Sequence, residues 1–345
     1  MEFPLKVGIA GYGVVGKRRR QFIDQHPSLK TVAVCDQRLP GEGSFEDGVR
    51  HYRSYEDLIS KEKLDALFVC LTNDVAAKAT LLGLQKGVHV FCEKPPARNP
   101  GELLEVLDYE SKNKHLKLKY GFNHRYHDSI KYAQQLIRGK ELGEVINLRG
   151  VYGKSQIVTY DQLDWRTKRS IAGGGILLDQ GIHMVDMMRL FAGEFKDIFS
   201  FVSNSYWNHD VEDNAYALMR TESGVVAMLH SSATQWRHRF SLEIGLSEGS
   251  IILSGILSGS KTYGEEKITI AHKGKNDRGA PREQTLSYNE DNSWWEEISE
   301  FAELITKDEP VRNGSSEEAY KTMDLVFRIY DADPTWRDFC RRSSS

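Results

Sequence analysis

Leu5-Lys6-Val7-Gly8-Ile9-Ala10-Gly11-Tyr12-Gly13-Val14-Val15-Gly16 decides the fold. The first six residues read as a buried strand, and a helix-like run follows to about Gln25. Between them stands G-x-G-x-x-G in the setting that gives the pattern meaning, strand before and helix after. Gly11 permits a tight turn, Gly13 lets backbone approach a pyrophosphate, and Gly16 lets helix pack on strand. Amides at the helix N-terminus supply donors and partial positive charge. Thr31-Val32-Ala33-Val34-Cys35-Asp36 reads as a second strand ending in an acid, 20 residues after Gly16. Such an acid accepts from adenosine ribose hydroxyls and repels a 2′-phosphate, so Asp36 favours NAD. Arg38, two residues on, keeps NADP as the alternative. The run Lys17-Arg18-Arg19-Arg20 reads as a solvated helix face.

Outward from this unit the alternation continues. Ser54 caps a helix start, with an acid three residues on. Ala66–Leu71 reads as a strand, and Thr72-Asn73-Asp74 caps a helix to about Lys86. Gly87-Val88-His89-Val90-Phe91-Cys92-Glu93-Lys94-Pro95-Pro96 is a strand that ends in an acid, a base and two prolines. Ligands of open α/β sheets bind beyond the carboxyl ends of strands. A lysine there, ahead of a residue that fixes φ, is held to act on something; the plain alternative is a salt-bridged loop lysine. Asn99-Pro100 starts another helix and Leu116–Tyr120 is a further strand. Strands alternating with helices argue a doubly wound parallel sheet, and the domain boundary falls near Gly121-Phe122. The expected domains are 1–121, binding the dinucleotide, and 122–345.

After this boundary the texture changes. His127 to Gly139 reads as a helix and Val145–Tyr152 as a strand. A polar, aromatic loop with Asp164-Trp165-Arg166 leads to Gly173-Gly174-Gly175 and to an apolar helix, Ile176–Ala192. Seven strand-like runs between Asp197 and Tyr288 follow without intervening helices, which implies an antiparallel sheet in an α+β domain. Two helices, from about Ser293 and Ser315, close the chain. Asp179 and His183 are four apart and would share a helix face. An imidazole can move a proton either way, although a histidine on an apolar helix is more often a hydrogen-bonded core residue. The triple glycine argues that backbone must come close to something. Neither Asp179 with His183 nor His124 with His127 forms a convincing metal set, so no metal ligand is assigned.

At 345 residues the chain is long enough for two domains. A net charge of −3 makes no case for nucleic acid or an anionic membrane surface. Met1–Lys6 has neither the basic nor the apolar region of a signal peptide, and Ala66–Leu71 is far short of a membrane span. Cys35, Cys70, Cys92 and Cys340 lack metal or disulfide spacing. A cytoplasmic protein with reduced thiols is expected.

The fingerprint Gly11–Gly16, Asp36, Glu93-Lys94-Pro95, Gly121-Phe122-Asn123 with Arg125-Tyr126, Asp164-Trp165-Arg166 and the run Gly173–Asp186 together resemble one family across nearly the whole chain. It is the glucose–fructose oxidoreductase / inositol dehydrogenase / MocA-like (Gfo/Idh/MocA) oxidoreductases. The resemblance implies an α/β protein: an N-terminal Rossmann sheet plus a C-terminal α+β domain with a large, mainly antiparallel open sheet. That sheet supports homodimers or homotetramers in the family. It implies a nicotinamide cofactor held by Gly11, Tyr12, Gly13, Val14, Val15, Gly16, Asp36, Arg38, Leu71, Thr72, Asn73, Glu93 and Lys94. It implies a sugar, polyol or nucleotide-sugar held by Lys94, Asn123, Arg125, Tyr126, Trp165, Arg166, Asp179 and His183. By matching position, Lys94 and His183 form the catalytic pair and Asp179 contacts substrate. One departure follows Thr72, where many members carry a proline-containing turn and then a histidine near the nicotinamide ribose; here the run is Asn73-Asp74-Val75-Ala76-Ala77. The expected activity is hydride transfer between NAD(P) and a carbohydrate alcohol or ketone. Its rivals are a non-catalytic cofactor-binding regulator of the same fold, a glycosidase using transient NAD oxidation, and a metal-assisted enzyme.

Overall fold

The computed structural model describes residues 4–156, 165–258, 262–274 and 281–342. The chain forms two compact units. The first comprises the chain up to Phe122 with Ser170–Gly173 and Trp294–Lys321, and the second comprises the rest. The division is therefore not a single cut near residue 121.

In the first unit β1 (Leu5–Ala10), α1 (Val14–Gln25), β2 (Leu29–Cys35), β3 (Gly43–Ser44), β4 (Arg50–Tyr52) and α2 (Tyr55–Lys61) come first. Then follow β5 (Ala66–Val69), α3 (Asn73–Gln85), β6 (His89–Glu93), α4 (Leu104–Lys112) and β7 (Leu118–Gly121). The sheet order is β3-β4-β2-β1-β5-β6-β7. All pairs are parallel except β3 with β4. The order reverses at β1, which lies between β2 and β5, so the loop after β1 stands at the switch point where such sheets take ligands. Leu5, Val7, Ile9, Phe68 and Phe91 are fully buried, as strands covered on both faces require.

A helix from the far end of the chain, Ser293–Thr306, completes this core. Its Ile298, Phe301, Ala302 and Ile305 recur at helical spacing and join the cluster of Val7, Ile9, Phe68 and Phe91. Phe301 meets Phe68 and Phe91 edge-on at 5.7 and 5.6 Å. The helix comes late in the sequence, within the residues expected to form the C-terminal domain, but its apolar face finds its partners on the parallel sheet.

The basic run on α1 is not a uniform solvated face. Arg19 is fully buried, because one of four consecutive helical residues must face the sheet. Its Nε donates to Glu93 Oε1 and its Nη2 to Glu297 Oε2, both at 2.6 Å. The guanidinium also lies 4.4 Å from the Phe91 ring centroid and 4.2 Å from that of Trp294. Two carboxyls thus share one cation. Burial pushes the Glu297 carboxyl up to about 7, and its Oε1 has no hydrogen-bond partner among the described residues.

The second unit begins with α5 (Asp128–Arg138) and β8 (Val145–Gly153); the short α6 (Arg169–Ala172) starts in it and belongs to the first unit from Ser170. A π turn, Leu177–Gly181, leads into α7 (Ile182–Ala192). The strands β9 (Phe195–Ser203), β10 (Asn214–Thr221), β11 (Val226–Ser232), β12 (Arg239–Leu246), β13 (Gly249–Ser254), β14 (Glu266–His272) and β15 (Arg282–Tyr288) follow. They form one sheet of order β15-β14-β13-β12-β8-β11-β10-β9. Every pair is antiparallel except β8 with β11. Helix α7 lies on β8, where a Cβ at Gly150 would meet the Met188 methyl at 2.5 Å. The opposite face carries Ile146, Phe199, Phe201, Tyr216, Leu218 and Met228, all exposed. The run expected as one helix from Ile176 is thus a π turn followed by an α-helix. The helix from Ser315 is α9 (Ser316–Ala332), after α8 (Ser293–Thr306), and α10 (Pro334–Arg342) ends the described chain.

The Glu297 carboxyl titrates about 7 when folded against an ordinary 4.5. The native state then holds a proton that the unfolded chain has released, so this contribution to stability is full below about pH 4.5 and lost as pH rises through about 7. Urea unfolding of wild type and Glu297→Gln between about pH 5 and about pH 8 should show the wild type losing stability relative to the variant as pH rises. Parallel curves would mean that Glu297 ionises normally.

Candidate active site

At the end of β1 the backbone is packed too tightly for side chains. Gly11 has φ +94°, and a Cβ there would lie 2.2 Å from the Cys70 carbonyl oxygen. A Cβ at Gly16 would lie 2.0 Å from the carbonyl oxygen of Gly11. Gly13 differs: a Cβ would meet only an Arg38 guanidinium nitrogen, at 3.6 Å. Gly13 is the N-cap of α1, makes no side-chain cap, and no acid stands in the first turn. The amides of Val14 and Val15 are therefore left for an anion. Asp36 Oδ1 accepts from the Arg38 amide at 3.0 Å and from Arg38 Nε at 2.8 Å, while Oδ2 accepts from Nη2 at 2.8 Å. These hydrogen bonds, with the Arg38 charge, hold the Asp36 carboxyl below its ordinary range. An open glycine, an uncapped helix start and an ionised acid at the next strand end fit a dinucleotide: pyrophosphate over Gly13, ribose at Asp36.

Other residues assigned to the cofactor have partners within the first unit. The Tyr12 hydroxyl accepts from Arg20 Nη1 at 2.8 Å. Thr72 Oγ1 donates to Asp74 Oδ1 at 2.6 Å, and Asn73 Nδ2 to the Ala172 carbonyl at 2.7 Å, so the turn after Leu71 is tied internally. Glu93 belongs to the Arg19 cluster. Lys94, half-buried, follows directly on β6, ahead of Pro95.

In the second unit Asp179 stands on the π turn. Its Oδ2 accepts from Lys154 Nζ at 3.2 Å and its Oδ1 from Arg166 Nε at 3.4 Å. Arg166 in turn stacks over Trp165 at 4.4 Å. Asp164 lies outside the described residues. His183, on α7, is buried, and its ring lies flat on that of His124, with centroids 3.7 Å apart and planes 11° from parallel. His124 Nε2 is 3.0 Å from the Tyr152 hydroxyl and Nδ1 3.2 Å from Asn123 Oδ1. His127 pairs instead with buried Glu266, Nδ1 to Oε2 at 2.7 Å. Among the described residues no three His, Cys, Asp or Glu side chains are grouped to hold a metal ion.

Lys154 and His124 stand beside Asp179 and His183 although the sequence motifs do not mark them. Lys154 directly follows a strand that ends at Gly153, and His124 sits in the Asn123–Tyr126 turn between Asn123 and Arg125, so strand-end position is the signal in the sequence. Arg125, expected to contact substrate, is paired within the second unit. Its Nε and Nη2 donate to Asp186 Oδ2 and Oδ1 at 2.7 and 2.5 Å, both residues buried. Thr322 Oγ1 also donates to Asp186, at 3.2 Å. Tyr126 is buried too. The three glycines come close to the protein itself: Gly173 to the Arg98 backbone, Gly174 to the Tyr330 hydroxyl, Gly175 to the Glu212 backbone.

Removing one partner of a buried ion pair typically costs about 3–5 kcal/mol, because the other charge stays buried. Arg125→Met should lose stability of that order in urea unfolding, and adding Asp186→Leu should restore part of it. A variant as stable as wild type but with a raised KM would return Arg125 to the substrate.

Residues 5–122 match the oxidoreductase family with an NAD-binding Rossmann fold, and residues 130–252 match the GFO/IDH/MocA C-terminal domain. Levoglucosan dehydrogenase of Pseudarthrobacter phenanthrenivorans is 25% identical over 290 residues, 72% of this chain and 73% of that one. The NADP(+) D-xylose 1-dehydrogenase 2 of Haloferax volcanii is 24% identical over 330 residues, 95% of this chain and 96% of its own. A solved levoglucosan dehydrogenase in complex with NADH and levoglucosan superposes with TM-score 0.83, covering 96% of this chain and 97% of that one; at 20% identity this shows the fold. With both family domains matched in order, the chain belongs to the Gfo/Idh/MocA oxidoreductases and carries their NAD-binding Rossmann half.

Proposed function

We propose that this protein is a dehydrogenase acting on a small carbohydrate: a sugar, polyol or nucleotide-sugar. The observation that carries this reading is the Asp179 constellation, a carboxylate bracketed by Lys154 and Arg166 on the same π–α run as His183. A polyhydroxylated substrate needs several fixed donors and acceptors to define which carbon reacts. Relatives named for levoglucosan and D-xylose support the same substrate class.

NAD, when bound, supplies the hydride acceptor. His183 takes the proton of the reacting hydroxyl as general base, and returns it as general acid in reduction. The His124 ring holds the plane of His183. Lys94 Nζ donates to the substrate oxygen and stabilises its developing negative charge. Asp179 accepts from a neighbouring substrate hydroxyl. General acid–base catalysis is typically worth about 10²–10⁴-fold. Lys94→Ala and His183→Ala should each lower kcat by at least that order on a sugar found by panel screening, with NAD binding nearly unchanged. If His183→Ala kept near-normal turnover while Lys94→Ala abolished it, the lysine would be the base.

We further propose that NAD is preferred over NADP, since ionised Asp36 disfavours a 2′-phosphate. Arg38, 65% exposed on its side chain, is the residue that would oppose this. Fluorescence titration of both reduced cofactors should give the lower Kd for NADH, and tighter NADPH binding would reverse the assignment.

The open face of the second-unit sheet is proposed as a homodimer or homotetramer interface. Phe199 and Phe201 are 59% and 64% exposed, and Leu218 and Met228 49% and 53%. A contiguous apolar face of this kind marks an interaction site. Light scattering at micromolar concentration should give a multiple of the 39.3 kDa chain mass; a monomer would contradict it. No helix among the described residues is long and apolar enough to cross a membrane, and all four cysteines are free, in keeping with a reducing cytoplasm.

A further inference from the structure

One buried carboxyl outside the residues assigned above is distinguished by what it holds. Glu212 precedes β10 and is fully buried. Its Oε2 accepts from the Gly175 amide at 2.6 Å. Its Oε1 accepts from the Leu177 amide at 2.9 Å and from the Tyr330 hydroxyl at 2.7 Å. Its backbone carbonyl accepts from the Ile176 amide at 3.2 Å, and the Asp179 amide then donates to the Gly175 carbonyl at 2.8 Å. Three successive amides at the entry to the π turn thus hang on one residue distant in sequence. The approach is close: a Cβ at Gly175 would lie 2.1 Å from the Glu212 carbonyl oxygen, and one at Gly174 2.4 Å from the Tyr330 hydroxyl.

Three other helix starts in this chain are capped locally, by Ser54, Asn99 and Ser315. A serine or aspartate beside the turn would satisfy the same amides at the surface. Burying a carboxyl instead is costly, and burial pushes this one up to about 7. What the long-range clamp adds over a local cap is a fixed position for the turn relative to the sheet.

We propose that Glu212 is a positioning residue for the reaction: by pinning Gly175, Ile176 and Leu177 it sets where the π turn bearing Asp179 and the helix bearing His183 begin. The proposal rests on the dehydrogenase reading for the roles of those two side chains. Tyr330 serves the same clamp from α9.

Glu212→Gln keeps the size but replaces one acceptor oxygen with an N–H₂ group facing a donor. It should lower kcat by at least about tenfold with the Kd for NADH within about twofold, and in a His183→Ala background it should lower kcat by less than about twofold more. Tyr330→Phe, which removes one donor, should act in the same direction by about threefold and covers the case in which Glu212→Gln fails to fold. A fall in thermal stability with kcat unchanged, or full additivity with His183→Ala, would overturn the proposal and leave Glu212 a purely structural residue. A second arm does not need turnover. In protein labelled with ¹⁵N-histidine, the ring signals of His183, identified by their loss in His183→Ala, should move in both variants while those of His26 and His51 stay. Unmoved His183 signals would overturn the proposal even in an active enzyme. Absence of turnover by wild type across the sugar panel, with the His183 signals moved, would overturn the dehydrogenase reading and not the clamp.

Discussion

Backbone lies directly on backbone ahead of two helical starts in this protein, one in each unit. In the first unit the loop after β1 runs so close to the Cys70 carbonyl that no Cβ fits at Gly11. In the second, Gly175 is pressed against the Glu212 carbonyl. Both contacts remove side-chain bulk next to a helix start, and both leave the helix N-terminal amides decisive. At α1 they stay uncapped and can meet a phosphate. At the π turn a buried carboxylate takes them, and the turn becomes a fixed platform. The same physical element, an N-terminus with orphan donors, is left open for a ligand in one unit and closed by the protein in the other.

Buried charge is the second organising feature. Arg19 between Glu93 and Glu297, Arg125 with Asp186, and Glu212 with its three donors are each costly to desolvate, and none adds much net stability over an apolar replacement. Their value lies in geometry. A bidentate Arg125–Asp186 pair ties the turn before α5 to α7, and the Arg19 cluster ties α1 and the end of β6 to helix α8. Lys94 follows Glu93 directly, so the cluster also anchors the strand end from which that lysine projects. Apolar packing alone would hold these elements together but would allow them to slide.

The sheet of the second unit divides its two faces by the period of its strands. In β10 Ala215, Ala217 and Met219 are buried, while Tyr216 and Leu218 between them are exposed. Polar residues would normally occupy such an outer face. Here they are aromatic and aliphatic, and Tyr216 stacks on His230 of the neighbouring strand at 4.1 Å. The inner face is covered by α7 and by the turn whose His124 meets Tyr152 of β8, while the outer face stays exposed.

Local rules were enough for much of this. G-x-G-x-x-G between a strand and a helix, an acid at the next strand end and the alternation that follows determine a Rossmann unit, because each signal acts over a few residues and all agree. The strand run after Asp197 likewise determined an antiparallel sheet, and the position of Lys94 after β6 was readable from the apolar run before it. What only the tertiary structure decided is which partner each polar group takes. Arg19 reads as one of four solvated bases until Glu297, far away in the chain, is brought against it. Arg125 reads as one of the substrate-side residues, and only the fold shows that it pairs with Asp186. The triple glycine announces a close approach, but not that Arg98, Tyr330 and Glu212 are what it approaches. Asp179 and His183 read as members of one helix, whereas the fold puts the first on a π turn and the second on the α-helix after it. Composition and periodicity report how a residue meets its chain neighbours, whereas hydrogen-bond partners and desolvation depend on residues that only folding brings into contact.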